Sequence, residues 1–493
     1  MRRGWPSFWI KVALIAALVA VGDGLLFEAE GPGANLGLLT LSWVAGLALA
    51  NPAILRDRLG RIAVAAAALL ALLQIERPSA VGLLLFALAF GVAALAPRGV
   101  PDDAWRWAQR LVLAGLKAFW GPFADLRRLR QARQRRGKLK LASLAIAAVL
   151  PLAGGAVFLW LFAEANPVIG NGLASLHLGE PDVGRMIFWL ALALPVSAAL
   201  RPRGHRRLLG LPDAASDLAL PGVSAGSVTA SLVVFNALFA LENGLDLAYL
   251  WADARLPGRM SFAEYAHRGA YPLMATAVLA GLFVLVFLRP RSPTAASRPV
   301  RRLVMVWVAQ NLFLVASAAL RTVDYIEAYS LTVLRISALL WMLLVAVGLG
   351  LIAWRLIAGK SAAWLLNANA LAAGIVLAGC SLVDLGAVAA EWNIRHAREV
   401  GGAGVPLDLA YMEMLGGAAA VPLAELEQQP LEARFRSEVA GIRSAVVSCM
   451  LASQSGWRTW RWRDARRIMR VQALTHEKAA LPPAGFYCSD HHD

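Results

Sequence analysis

Charge is scarce in this chain. Asp, Glu, Lys and Arg make up 16% of 493 residues, against 59% hydrophobic, and the mean hydropathy is +0.59. Water-soluble domains run nearer 25% charged, so the excess apolar surface calls for lipid rather than a larger core. Cysteine is rarer still. Cys380, Cys449 and Cys488 are too few, and wrongly spaced, for a disulfide framework or a thiolate metal site. Cys449 and Cys488 share the C-terminal stretch, but spacing alone leaves their pairing open. Catalytic signatures are missing too: there is no P-loop, GxSxG, HExxH or dinucleotide fingerprint. No cofactor or metal is expected, and His491-His492-Asp493 reads as a tail rather than a metal site. Lysines are few, and the dominance of Ala, Leu, Val, Arg and Gly suggests a GC-rich bacterial genome.

What the chain has is long apolar runs. A helix needs about 20 apolar residues to cross the hydrocarbon core. Runs of that kind fall near 8–27, 35–54, 62–75, 79–96, 141–163, 186–200, 225–250, 271–288, 303–320, 331–357 and 364–388. They are continuously apolar, whereas barrel strands would alternate, so helices are the expected spanning elements. The first run is long enough to span and no small-x-small site follows it, so it reads as a span rather than a signal peptide. The expected fold is an all-α, polytopic transmembrane bundle of about 11 helices with a small helical C-terminal extramembrane segment. The expected divisions are a four-helix segment at 1–96, a basic linker at 97–140, a seven-helix core at 141–388 and a C-terminal region at 389–493.

The net charge of +16 sits in short loops, not on a nucleic-acid-binding face. Counting from a cytoplasmic N-terminus, the inner loops carry Arg56, Arg58 and Arg61, then twelve basic residues over 97–140, then Arg201, Arg203, Arg206 and Arg207, then Arg289, Arg291, Arg298, Arg301 and Arg302, then Arg355 and Lys360. That is the positive-inside pattern. It predicts a bacterial inner-membrane protein with a cytoplasmic N-terminus and, from the odd helix count, a periplasmic C-terminus.

Two stretches read as non-spanning. Over 103–130, Trp105, Val112, Leu116, Phe119, Phe123 and Leu126 fall on one helical face, with Arg127, Arg128, Arg130, Arg133, Arg135 and Arg136 opposite and behind. This suits a helix on the inner leaflet with its cations (103–136) near anionic lipid head groups, or simply a topogenic stop. Over 457–473, Trp457, Trp460 and Trp462 alternate with arginines, as in an interfacial helix.

Ionisable residues in spanning helices are functional candidates by default, because each costs a few kcal/mol to insert. Glu242 and Asp246 share a face of the seventh run, with Tyr249 a turn on. His267 and Arg268 follow in one outer loop, Arg321 and Asp324 in the next, Arg335 lies a turn into the tenth run, and Asp384 ends the eleventh. If these meet, they line a vestibule opening outward, with Glu242 and Arg335 as its deeper members. The alternative is polar residues pairing for packing at helix ends. Gln310, Asn311, Asn367 and Asn369 read as interhelical packing, and Pro151 and Pro195 as breaks or kinks.

The segments NALFALENGLDLAYLWADARLPGRMSFAEYAHRGAYPL from Asn236, WVAQNLFLVASAALRTVDYIEAYS from Trp307 and KSAAWLLNANALAAGIVLAGCSLVDLGAVAAEWNIRHAREV from Lys360 resemble a family of bacterial polytopic membrane proteins known only as a domain of unknown function. The resemblance implies an integral membrane location and assigns no activity. Three functional readings stay open. One is a small-solute or ion transporter with a polar path to both sides. Another is a sensor or accessory protein with a site closed to the cytoplasm. The third is an outer-leaflet enzyme on a lipid-linked substrate, with Glu242 or Asp246 as acid/base and Arg268 or Arg321 on phosphate.

Overall fold

The computed structural model describes residues 4–29, 31–98, 102–134, 182–202, 225–248 and 297–478, with a few isolated positions besides. Among the described residues every regular element is helical. The helices are α1 (Gly4–Leu26), α2 (Ala34–Ala50), α3 (Arg58–Glu76), α4 (Ala80–Leu95), α5 (Ala104–Gln134), α6 (Val183–Leu200), α7 (Ala225–Asp246), α8 (Arg298–Tyr329), α9 (Val333–Ala358) and α10 (Ala362–Leu382). The C-terminal unit adds α11 (Leu385–His396), α12 (Leu409–Met414), α13 (Ala420–Glu427), α14 (Ala433–Ser453) and α15 (Trp462–Thr475).

Seven of these (α1, α3 and α6 to α10) contain stretches long and apolar enough to cross a membrane, and α2 and α4 are shorter apolar helices. The chain is a multi-pass helical membrane protein. The expected spans at 141–163 and 271–288, and Pro151, lie outside the described residues. α6 runs unbroken through Pro195. One expected span is shorter than the apolar run suggests. The stretch 364–388 stops at Leu382, because the Asp384 carboxylate accepts from the Gly386 and Ala387 N–H groups and starts a new helix. An N-cap satisfies donors that an apolar environment would leave unpaired.

The membrane helices form two packed groups. In the first, α1 to α4 and α6 close around Leu47, Ile54, Phe86, Phe90 and Leu200. Ala63, Ala67 and Ala71 recur every fourth residue on α3 and are all buried, which lets helices approach closely. A Cβ on Gly37 of α2 would overlap Ile75 of α3. In the second group, α7 to α10 pack around Val300, Val304, Trp307 and Leu349, with Phe235, Phe239 and Phe283 ringing Trp307.

α5 lies against α4, α6 and α10. Its first backbone N–H donates to the Asn367 side chain at 2.7 Å. Ala118 and Gly121 are buried, whereas Val112, Leu116, Phe119 and Trp120 are exposed. Of the apolar face read from the sequence, Trp105, Val112, Leu116 and Phe119 are exposed, and Phe123 and Leu126 lie outside the described side chains.

The C-terminal unit has its own apolar core, which includes Met412, Leu423, Leu426, Val439 and Val447. Cys449 and Cys488 form a disulfide. The buried Arg443 bridges Glu427 at 2.7 Å and Glu477 at 2.8 Å. Burial disfavours its charge, but hydrogen bonds to the two carboxylates outweigh this and raise its pKa above the ordinary arginine value.

This unit is seated on one end of the bundle. The Ala34 and Asn35 N–H groups, orphans at the start of α2, donate to the carbonyls of Trp460 and Arg458 at 2.8 and 2.9 Å. Gly33 permits this approach, since a Cβ there would overlap the Thr459 backbone. Asn393 pairs through its side chain with both the N–H and the C=O of Leu331, and the Tyr411 hydroxyl accepts from Val333 N. The C-terminal unit thus caps two membrane helices whose ends its own sequence lies far from.

Candidate functional site

Of the nine residues expected to line one vestibule, Asp246, Arg321, Arg335 and Asp384 fall into three separate arrangements. Among the described members of that set, Asp246 and Arg321 make the buried pair. Asp246 sits at the last turn of α7 and Arg321 two turns before the end of α8; their side chains are 0% and 8% exposed and form a direct ion pair. The two helices run side by side, so residues at like depth face each other. Below the pair lie neutral polar contacts. Asn243 Nδ2 donates to Gln310 O at 3.3 Å, Gln310 Nε2 to Asn236 Oδ1 at 3.0 Å, and Asn236 Nδ2 to Leu303 O at 3.1 Å. Ser317 is fully buried between these levels and the pair. From Asn236 to Asp246 the seam runs about 15 Å at 1.5 Å per residue. It stops there. The far end of the same helix pair is filled by buried Val228, Leu232, Val300 and Val304.

Arg335 does other work. Its guanidinium donates to the Tyr329 carbonyl at 2.6 Å and to the Ser330 carbonyl, and it lies 4.2 Å from the Tyr325 ring centroid. It satisfies carbonyls left over at the end of α8 and makes a cation–π contact. It does not pair with Glu242, which is exposed on α7, and Asp324 is exposed on α8. Tyr249, His267 and Arg268 lie outside the described residues.

Asp384 belongs to the third arrangement, the seat of the C-terminal unit. It takes Arg77 at 3.3 Å, Arg463 at 3.5 Å and Arg467 at closer range, while Glu76 takes Arg463 at 3.3 Å and Arg466 at 2.7 Å. Burial pushes the Asp384 pKa up. The charges of Arg467 and Arg77, the Arg467 hydrogen bond and the Ala387 N–H outweigh that and hold it at about 2. The sequence reads 457–473 as an interfacial helix with its tryptophans at head-group depth; within it Arg463, Arg466 and Arg467 bind Glu76, at the end of α3, and Asp384, just after α10. The available signal was their spacing: 463, 466, 467 and 470 make one helical stripe.

Chemically, Asp246 and Arg321 form a buried ion pair between two helices long and apolar enough to cross a membrane. An intramembrane ion pair is held by mutual attraction in a low-dielectric setting, and removing either partner leaves an uncompensated charge. An anion at Arg321, a cation at Asp246, or a proton on Asp246 would each compete with the pair. Among the described residues no group of three His, Cys, Asp or Glu is placed to hold a metal ion.

No curated protein and no solved structure matches the chain. The family described as Domain of unknown function (DUF4153) matches residues 62–426, from the first turn of α3 to the end of α13. With that match over most of its length, the chain belongs to the DUF4153 family.

Proposed function

We propose that this is a bacterial inner-membrane protein of the sensor or accessory type, with a binding site at Asp246 and Arg321 that is open to the C-terminal side only. The carrying observation is the seam between α7 and α8: the described inter-helix polar contacts run from Asp246 and Arg321 to Asn236 and Leu303, and buried Val228, Leu232, Val300 and Val304 pack toward the other end. In this reading the N-terminus is cytoplasmic and the C-terminal unit periplasmic. Two features support that orientation. Arg56, Arg58, Arg61, Arg301, Arg302 and Lys360 lie toward the end of the bundle opposite the C-terminal unit. The Cys449–Cys488 disulfide also suits an oxidising compartment. On the cytoplasmic side, the basic stretch 103–136 lies at anionic head groups.

A small-solute or ion transporter is the second reading. It is favoured by the alignment of three amides with the ion pair along a single helix contact. Side-specific thiol labelling separates the two. The disulfide protects Cys449 and Cys488, so Cys380 alone is replaced before Asn243→Cys and Val304→Cys are introduced. A one-sided site predicts labelling at 243 only from the face bearing the C-terminal unit, and none at 304. Labelling at 243 from both faces would replace this reading with transport.

A further inference from the structure

α7 and α8 meet along matching stripes. On α8, Gln310, Leu314, Ser317 and Arg321 follow one another at steps of three and four, which is a single helical face. On α7, Asn236, Phe239, Asn243 and Asp246 do the same. The stripes are in register. Asn236 meets Gln310 at one end and Asp246 meets Arg321 at the other, so the helices run parallel and Asn243 comes level with Ser317.

Three buried oxygens on these stripes have no hydrogen-bond partner in the protein: Asn243 Oδ1, Gln310 Oε1 and Ser317 Oγ. Ser317 is 0% exposed. Turning the amides over does not help. Asn236 Nδ2 already donates to the carbonyls of Leu232 and Leu303, at 2.7 and 3.1 Å. Its Oδ1 therefore faces Gln310, and that holds Gln310 Nε2 toward it and Oε1 away. Asn243 Nδ2 donates to the Gln310 carbonyl, where an oxygen in its place would be repelled. Both amide oxygens thus need a donor that the two helices do not supply, and a buried acceptor left unmet carries its full desolvation penalty.

Water is the donor that fits. A metal cation needs several oxygens around one point, whereas Gln310 and Ser317 lie seven residues apart on α8, about 10 Å along the axis. The nearby carboxylate, Asp246, is already engaged by Arg321. An anion needs donors, and an amide oxygen only accepts. A buried water makes two to four hydrogen bonds to polar groups that otherwise lack them.

We infer that Asn243, Gln310 and Ser317 hold ordered water at two levels inside the contact between α7 and α8, the upper level directly beneath the Asp246–Arg321 pair. The pair is thereby solvated from within the bundle, and a solute reaching it displaces water instead of hydrocarbon. This deepens the reading of that pair as a binding site and rests on it for its role.

The test is water-edited solid-state NMR on the isotopically labelled full-length protein in lipid bilayers, which passes magnetisation from water to the groups beside it. The side-chain amides of Asn243 and Gln310 should receive it severalfold faster than the methyl groups of Leu232 and Val304, buried on the same two helices. Ser317→Ala should slow transfer to Asn243 severalfold, and Ser317→Thr, which keeps the hydroxyl, should restore it. The thermal midpoint of each variant shows that it is folded.

Transfer to the two amides as slow as to the methyl groups would overturn the inference, and the site reading would then rest on thiol labelling at 243 alone. Unchanged transfer in Ser317→Ala would overturn the part assigned to Ser317. A shift of the Asn243 and Gln310 carbonyl signals when sodium replaces potassium would put a cation there in place of water and overturn the inference as well. Fast transfer in a protein that labels at 243 from both faces would uphold the water and strike the one-sided reading instead.

Discussion

The two membrane groups solve the same problem by opposite means. The group of α1 to α4 and α6 is held by close approach: its interhelical contacts use Gly37 and the Ala63–Ala67–Ala71 row around a largely apolar core, and the Asp23–Arg185 pair, at 2.9 Å, lies at helix ends. The group of α7 to α10 also has an aromatic core. It carries in addition a ladder of amides and a buried ion pair along α7 and α8. Packing of the first kind needs only dispersion and small side chains, and van der Waals contact is what drives helix association in lipid. Polar groups of the second kind cost insertion energy that packing does not require. The first group also buries polar side chains, but Asn35, Thr40 and Gln74 bond to backbone within five residues, whereas those of α7 and α8 link two helices, which is why the functional reading rests there.

The largest expected effect breaks the second group alone. Arg321→Leu leaves Asp246 buried without its partner and should cost about 3–5 kcal/mol. The measurement is the thermal midpoint in detergent. The double change Arg321→Leu with Asp246→Leu should recover most of that loss. A double variant as unstable as the single one would show that the pair is not the unit of interaction.

Breaking the first group requires bulk instead. Gly37→Leu should destabilise by about 1–3 kcal/mol through overpacking. Gly350→Leu on α9, where a Cβ meets nothing within 4 Å, should not destabilise. Equal losses at the two positions would remove the contrast.

The seat of the C-terminal unit joins the two groups, since Arg77 of the first and α10 of the second share Asp384. Its pKa of about 2 lies below the ordinary 3.8. A carboxylate with a depressed folded-state value contributes fully above the unfolded pKa and loses that contribution as pH falls through the folded one. Docking should therefore be constant from about pH 5 upward and weaken by about 2 kcal/mol toward pH 2. Asp384→Asn should abolish the acid-dependent part, as followed by protease release of the C-terminal unit. An unchanged acid profile in that variant would assign the effect to other carboxylates.

The smallest effect sharpens the comparison. Asn236→Leu removes one amide from the ladder and should cost about 0.6 kcal/mol, the average for an interhelical hydrogen bond in a membrane protein. A much larger loss would mean that the ladder acts as one network.

Spans, helical class and the multi-pass architecture were legible because they follow from composition along the chain. Continuous apolar runs cannot be anything but helices in lipid, and nine described helices lie where the runs predicted. The apolar stripe of α5 was legible for the same reason, since a 3.6-residue period is a local property. The candidate site was legible only in part. Asp246 stood out as an intramembrane charge and Arg321 as one of an outer loop, and with 75 residues between them nothing in chain order paired them. Arg335 stood out equally, and it proved to close a helix end five and six residues away.

The sequence by itself determined where the chain meets lipid, because transfer free energy is summed residue by residue along a helix. The tertiary structure alone decided which charges meet. The local spacing of the Arg463–Arg467 stripe is the same for facing head groups as for facing carboxylates, and only the seating of α15 beside Glu76 and Asp384 makes the second arrangement. Ion pairing depends on distance to a particular partner, and distance across a bundle is set by helix packing rather than by order in the chain.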